Sequence, residues 1–174
     1  MKKPKVVLKN IVTFRGIEGI GVNADVYIND VKCMFMIDAA DGSPYDYDIY
    51  DMVSTKVQKN IKLLEEYIKT LPPHEYKLNG KQVLIEMDMD MFLNEIIIKQ
   101  EQEKERRKIE RMYKNYIIFG IEGADKYKRM KLPKPVAECP PVYLQSIVRT
   151  IKTKHCTNGE TIWNTNLKAL GVSI

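Results

Sequence analysis

Cysteine is scarce in this sequence and histidine scarcer still. Cys33, Cys139 and Cys156 are odd in number, widely spaced and without a CxxC pair. That pattern excludes the disulfide framework of a small secreted domain and predicts reduced, partly buried thiols. His74 and His155 are the two histidines. Neither stands at a family-like spacing from a serine or cysteine, so only a Cys–His pair assembled in space stays open. Cys33, His74, Cys139, His155 and Cys156 lack the paired spacing that gathers four zinc ligands. Long apolar runs are missing too. The longest candidate, around residues 94–98, ends at Lys99 and Gln100, far short of the ~20 residues that cross a bilayer. The opening Met-Lys-Lys-Pro-Lys lacks the apolar segment of a signal peptide. These absences predict a cytoplasmic location and no membrane partner.

What is present is ordinary globular composition: 174 residues, 44% hydrophobic and 29% charged. A chain of this size buries roughly 70% of its unfolded surface, enough for one real core. The expected organisation is a single domain over residues 1–174. The alternative is a subdivision into a sheet-plus-helix part, 1–87, and a long helix with a basic C-terminal part, 88–174. The net charge is a modest +5, but it is unevenly spread. Residues 16–51 hold eight acids against the single base Lys32, whereas residues 126–154 hold eight bases against the single acid Glu138. Either the two segments attract each other, or each faces its own partner.

Hydrophobic periodicity predicts the elements. Residues 5–14 read as a strand, and Gly16, Gly19 and Gly21 as a turn or bulge after it. Residues 23–29 alternate Ala24, Val26 and Ile28 with polar neighbours, and residues 31–37 follow across Asn29-Asp30, which predicts a hairpin. Tyr45, Tyr47 and Ile49 alternate with Asp46, Asp48 and Tyr50, as in an edge strand with inward tyrosines and outward acids. Val53, Val57, Ile61, Leu64, Ile68 and Leu71 make one helical stripe ended by Pro72-Pro73. A turn at 78–81 precedes a short strand at 83–87. The longest helix is predicted from Asp90 to about Lys114, with no apolar residue from Lys99 to Lys108 and hence a solvated middle. A strand at 116–121 and a return at 127–132 follow. Pro140 and Pro141 suit a helix start, and Leu144, Ile147, Val148 and Ile151 give that helix its apolar stripe. Thr157-Asn158-Gly159-Glu160 matches a capping box. It predicts a last helix through Ile162, Trp163, Leu167 and Leu170, terminated by Gly171. The fold class is α+β: an antiparallel sheet of about four to six strands packed by three or four helices, one long and partly solvated.

The segments that might carry chemistry have simpler structural readings. Asp38, Asp41, Asp46 and Asp48 offer hard oxygen ligands. An EF-hand loop, however, needs an acid where Ala40 stands, and its glycine one place later than Gly42. The segment is read as a solvated turn, and no metal is expected. Asp88-Met89-Asp90 is a DxD: both carboxylates share a face on a strand, or both serve the positive end of the long helix. The glycines around Ile17 match neither a dinucleotide fingerprint nor a P-loop and suit a bulged hairpin. No catalytic residue and no cofactor is assigned.

The run GIEGIGVNADVYINDVKCMFMIDAADG, then Pro72-Pro73, MDMDMFLNE and the mixed-charge helix, resembles a group of uncharacterised small accessory proteins of tailed bacteriophages. The likeness lies in a glycine-led strand pair, an IDDA-type turn and a basic C-terminal region. It implies a phage accessory protein acting early in the host cytoplasm, and no functional residue is carried over. The leading expectation is therefore a non-enzymatic binding protein that inhibits or sequesters a host defence component. Its expected binding surface is the acidic loop: Asp41, Tyr45, Asp46, Tyr47, Asp48 and Tyr50. One alternative is a nucleic-acid or nucleotide binder using Arg107, Arg111, Lys126, Lys128, Arg129 and Lys131, where bases interleave with tyrosines. Another is a metal-dependent hydrolase using Asp88 and Asp90. The expected partner is a host protein, and a homo-oligomer is compatible with the sequence.

Overall fold

The computed structural model describes residues 3–78, 81–124 and 126–174. The chain divides into two compact units, Met1–Gln100 and Glu101–Ile174, each with its own apolar core. The fold is α+β, as the periodicities predict.

In the first unit, β1 (Val6–Arg15), β2 (Ile20–Ile28), β3 (Val31–Ile37) and β4 (Asp46–Ile49) form an antiparallel sheet in sequential order. Asn29 and Asp30 both take positive φ, 51° and 64°, the geometry that matches a two-residue turn to strand twist. Helix α1 (Thr55–Ile68) follows. It starts two residues later than its apolar stripe suggests. Asp51 Oδ1 accepts the Val53 and Ser54 N–H groups at 3.0 Å each, and Ser54 Oγ accepts from Val57 at 3.4 Å, so Ser54 is the N-cap. Leu8, Val26, Ile28, Met34 and Met36 of one sheet face pack with Val57, Ile61 and Leu64 of α1 and with Phe92, Leu93 and Ile97 of α2 (Met89–Met112). A hairpin of β5 (His74–Leu78) and β6 (Lys81–Ile85) completes the unit. Its first strand, His-Glu-Tyr-Lys-Leu, has no apolar alternation to announce it. The expected turn at 78–81 falls on Asn79 and Gly80, outside the described residues.

The opposite sheet face carries one buried acid. β1 bulges between Lys9 and Val12, where Asn10 sits at φ 50°. Asn10 Nδ2 donates to Asp25 Oδ2 at 2.7 Å, and Lys32 Nζ lies 3.0 Å from Oδ1. The Asn10 hydrogen bond first, then Lys32, hold the Asp25 carboxyl below its ordinary 3.8. The folded state thus binds this proton more weakly than the unfolded chain. The resulting stability is full above about pH 4 and is lost as pH falls through the lowered folded-state value. Asp25→Asn is expected to flatten the acid limb of a stability–pH profile. An unchanged limb would mean that the bulge is held by other contacts.

In the second unit, β7 (Tyr116–Gly120) is the central strand between β8 (Lys128–Lys131) and the two-residue β9 (Thr161–Ile162). Helix α3 (Pro141–His155) opens with Pro141 in its first turn, as expected. Leu144, Val148 and Ile151 pack with Ile117, Phe119, Leu132, Val136 and Leu167. The predicted last helix is corrected. Glu160 does not return to a helix N-terminus: it accepts the Asn158 N–H at 2.8 Å and lies 3.5 Å from Lys128. Thr161 and Ile162 pair with β7, and only a 3-10 helix, Thr165–Leu170, follows. Pairing to an existing strand outweighs the local helix signal. Gly171 still terminates the segment, at φ 73°.

Candidate functional site

The acidic loop is built mostly of carboxylates that fold it. Asp38 Oδ1 accepts the Ala40 N–H at 2.8 Å and its Oδ2 the Val22 N–H at 3.3 Å. Asp41 Oδ1 accepts the Ser43 N–H at 3.0 Å and the Ser43 hydroxyl at 2.6 Å. These are the local turns that aspartate side chains favour. Asp46 and Asp48 alone project outward from β4, at the edge of the sheet, while Tyr45 and Tyr47 turn inward against the core. Tyr47 donates its hydroxyl to Asp90 Oδ1 at 2.5 Å, and the Tyr45 N–H donates to Asp90 Oδ2 at 2.9 Å. Burial first, then the Asp90 carboxylate, push the Tyr47 hydroxyl far above its ordinary pKa. Tyr50 is exposed at the far end of β4, with Lys32 Nζ 4.3 Å from its ring centre. The six loop residues singled out in the sequence are thus split. Asp41, Asp46, Asp48 and Tyr50 face solvent; Tyr45 and Tyr47 are anchors.

The DxD pair is likewise committed to structure. Asp88 Oδ1 accepts the Met91 N–H at 2.8 Å and caps α2, and both oxygens of Asp90 are held by the tyrosines. Among the described residues, no group of three or more His, Cys, Asp and Glu is placed to hold a metal ion. No helix among them is long and apolar enough to cross a membrane.

The surface next to the acidic loop is nearly silent in the sequence. Gly16 approaches Ala40 so closely that an added Cβ would lie 2.2 Å from the Ala40 Cβ, and the Glu18 N–H donates to Ala40 O at 2.8 Å. The β1–β2 hairpin tip is therefore seated on the acidic loop. That tip exposes Ile17 at 92% and Ile20 at 73%, with Val12 and Phe14 on the strand leading to it. Phe14, Arg15, Gly19 and Ile20 line a shallow groove there, and Glu18 and Asp41 stand beside it, both exposed. The glycines concealed this patch, because they read as a turn. Two isoleucines in a turn with no core to enter were the available signal.

The basic residues fall in the second unit. On α2, Glu103 takes Arg106 and Arg107 at 2.7 Å each, Arg106 also reaches Glu110, and Glu105 takes Lys108 at 3.1 Å. The two arginines hold the Glu103 carboxyl down at about 2. Lys128 is drawn to Glu160, while Arg129 lies 5.1 Å from the centre of the Tyr116 ring. Arg107 and Arg111 sit round the helix, at about 100° per residue, from the side on which Met112 meets Arg129. The six basic candidates thus do not form one surface, and Arg129 with Lys131 are separated from the helical pair.

No family model, no curated protein and no solved structure matches this chain.

Proposed function

We propose that the chain is a non-enzymatic binding protein, a phage-type accessory protein that engages and inhibits a protein of host defence. The observation that carries the binding role is the β1–β2 tip: exposed Ile17 and Ile20, set against the acidic loop. An apolar centre with a charged rim is the composition of a recognition surface, and isolated exposed residues do not give it. The rim holds Glu18 and Asp41 against the single base Arg15, so the partner surface is apolar at its centre and mainly basic around it. The phage and defence assignments rest on the sequence resemblance. Asp46 and Asp48 extend the acidic rim along β4 and favour encounter more than they add affinity.

The test uses the full-length chain as bait in bacterial lysate, with bound proteins identified by mass spectrometry and their affinities then measured. The double variant Ile17→Asp, Ile20→Asp is expected to weaken the specific partner by about thirtyfold or more, the loss typical of central interface residues. Asp46→Lys, Asp48→Lys should slow association at low salt. Retention of the same partner at equal affinity by a folded Ile17→Asp, Ile20→Asp variant would remove the tip from the interface.

A further inference from the structure

The second unit carries a surface that protein binding by the hairpin tip does not use. Residues 101–174 hold fifteen Lys and Arg against eight Asp and Glu, a net of +7. Within them, residues 111–121 and 126–137 contain seven bases and no acid. These two segments lie side by side: Tyr116 pairs with Lys131 and Ile118 with Arg129, the Leu132 N–H donates to Asn115 O at 3.0 Å, and the Val136 N–H to Lys114 O at 2.8 Å. Strand alternation puts Ile117 and Met130 toward the core and Tyr116, Ile118, Arg129 and Lys131 on the other face, which is covered at Ile118 and open at the β8 edge, where Arg129 and Lys131 are exposed.

Three of the acids of this unit are already engaged, while Glu122 and Glu138 flank the two segments and are exposed. Glu105 is held by Lys108, Glu110 by Arg106 and Glu160 by Lys128. Among the described residues, no carboxylate makes an ion pair with Arg111, Lys114, Arg129, Lys131 or Lys134. The Arg129 guanidinium lies over the Tyr116 ring, which is half-buried and so fixed in orientation. One guanidinium N–H meets Met112 Sδ at 3.6 Å, and the exposed Arg129 side chain presents a planar cation stacked on the Tyr116 ring. Arg129 and Lys131, two residues apart on one face, are about 7 Å apart, close to the repeat of an extended sugar–phosphate chain.

We propose that this surface binds single-stranded nucleic acid, with Lys114, Arg129, Lys131 and Lys134 on phosphates and the Tyr116–Arg129 stack supporting an unpaired base. A duplex fits it poorly, because its bases are already stacked and no helix projects here to enter a groove: the outer side of α2 is filled by the ion pairs of Glu103 and Glu110. The combination of a basic track and an aromatic platform is what sequence-tolerant single-strand binding needs.

The experiment titrates the full-length chain with a fluorescein-labelled oligothymidylate of about twelve nucleotides, within the usual site sizes, across salt concentrations. Four neutralised phosphates give a log–log salt slope of about −3, so affinity falls roughly fiftyfold between 50 and 200 mM salt. Arg129→Gln with Lys131→Gln should weaken binding at least tenfold and make the slope shallower by one to two. Tyr116→Leu should cost about tenfold for the oligonucleotide and leave binding of inorganic polyphosphate, which has no bases, unchanged. Lys59→Gln with Lys62→Gln, on α1, should leave all of these values in place. Tighter binding to the matched duplex, polyphosphate binding as tightly as the oligonucleotide at equal charge, or unchanged affinity in the folded Arg129→Gln, Lys131→Gln variant would each overturn the proposal.

Discussion

Asn164→Leu is expected to destabilise the second unit by about 3 kcal/mol, the largest single-residue effect we anticipate there. Asn164 is fully buried and stands where β9 leaves the sheet. The main chain makes one more ladder bond, from the Trp163 N–H to Ile118 O at 2.9 Å. The Asn164 side chain then replaces the missing strand: Oδ1 accepts the Ile118 N–H at 2.6 Å, and Nδ2 donates to Tyr116 O at 2.9 Å. Leucine keeps the branched shape, but its methyl groups are bulkier than the amide atoms they replace, so the loss combines the missing hydrogen bonds with overpacking of a filled site. It leaves a donor and an acceptor of the central strand without partners among Ile117, Phe119 and Leu167. Each such group costs about 1–3 kcal/mol. A unit of this size has about 4–11 kcal/mol of stability, so the loss is a large fraction of it. Trp163 is the only tryptophan of the chain and lies in this unit, so its fluorescence during urea unfolding reports the right transition. With a slope near 1–1.5 kcal/mol/M, the midpoint should fall by about 2–3 M. Asn166→Ala, which removes a half-buried bond to Tyr113 O at 3.1 Å, should cost about 1 kcal/mol. Equal effects of the two substitutions would mean that Asn164 is a space-filler and not a strand surrogate.

Local signals with one physical cause were legible in the sequence. Asn29-Asp30 between two alternating runs gave the β2–β3 turn. The alternation of Tyr45, Tyr47 and Ile49 with Asp46 and Asp48 gave an edge strand with its tyrosines inward. Pro141 and Gly171 marked a helix start and a chain reversal because each supplies a backbone angle that few residues tolerate. Signals decided by distant partners were not legible. Thr157 to Glu160 satisfies the capping-box pattern, yet β7 offers Thr161 and Ile162 a ladder, and Lys128 and the Asn158 N–H offer Glu160 an ion pair and a hydrogen bond. His74 to Leu78 forms a strand only because Lys81 to Ile85 is there to pair with it. The candidate surfaces were legible as charge and not as geometry. Counting bases placed Arg107 with Arg129, whereas the helix repeat and the carboxylates of Glu103 and Glu110 separate them. Reading the loop as one segment placed Asp41 with Tyr47, whereas one folds a surface turn and the other is half-buried against a helix.

Asp90→Ala is expected to cost about 3 kcal/mol in the first unit and to loosen β4. Asp90 lies in the first turn of α2, where negative charge is favoured by the helix dipole. Its two oxygens hold the Tyr45 N–H and the Tyr47 hydroxyl, 45 and 43 residues away in sequence. Alanine removes the acceptor for both and leaves the tyrosine hydroxyl in an apolar surround. A double-mutant cycle with Tyr47→Phe separates the contributions. Phenylalanine alone should cost about 1–2 kcal/mol, and the pair should be non-additive by about 1 kcal/mol or more, because the residues share one hydrogen bond. Hydrogen exchange gives the spatial check. The Tyr45 amide should exchange faster in Asp90→Ala, together with the amides of β4, while those of β1 and β2 keep their protection. The substitution also bears on recognition. Asp46 and Asp48 face outward only while Tyr45 and Tyr47 are held inward, so a freed edge should bind the partner with slower association and leave contact by Ile17 and Ile20 in place. Additive energies in the cycle together with unchanged Tyr45 exchange would show that the acidic edge is set by β3 alone and that the α2 carboxylate is incidental to it.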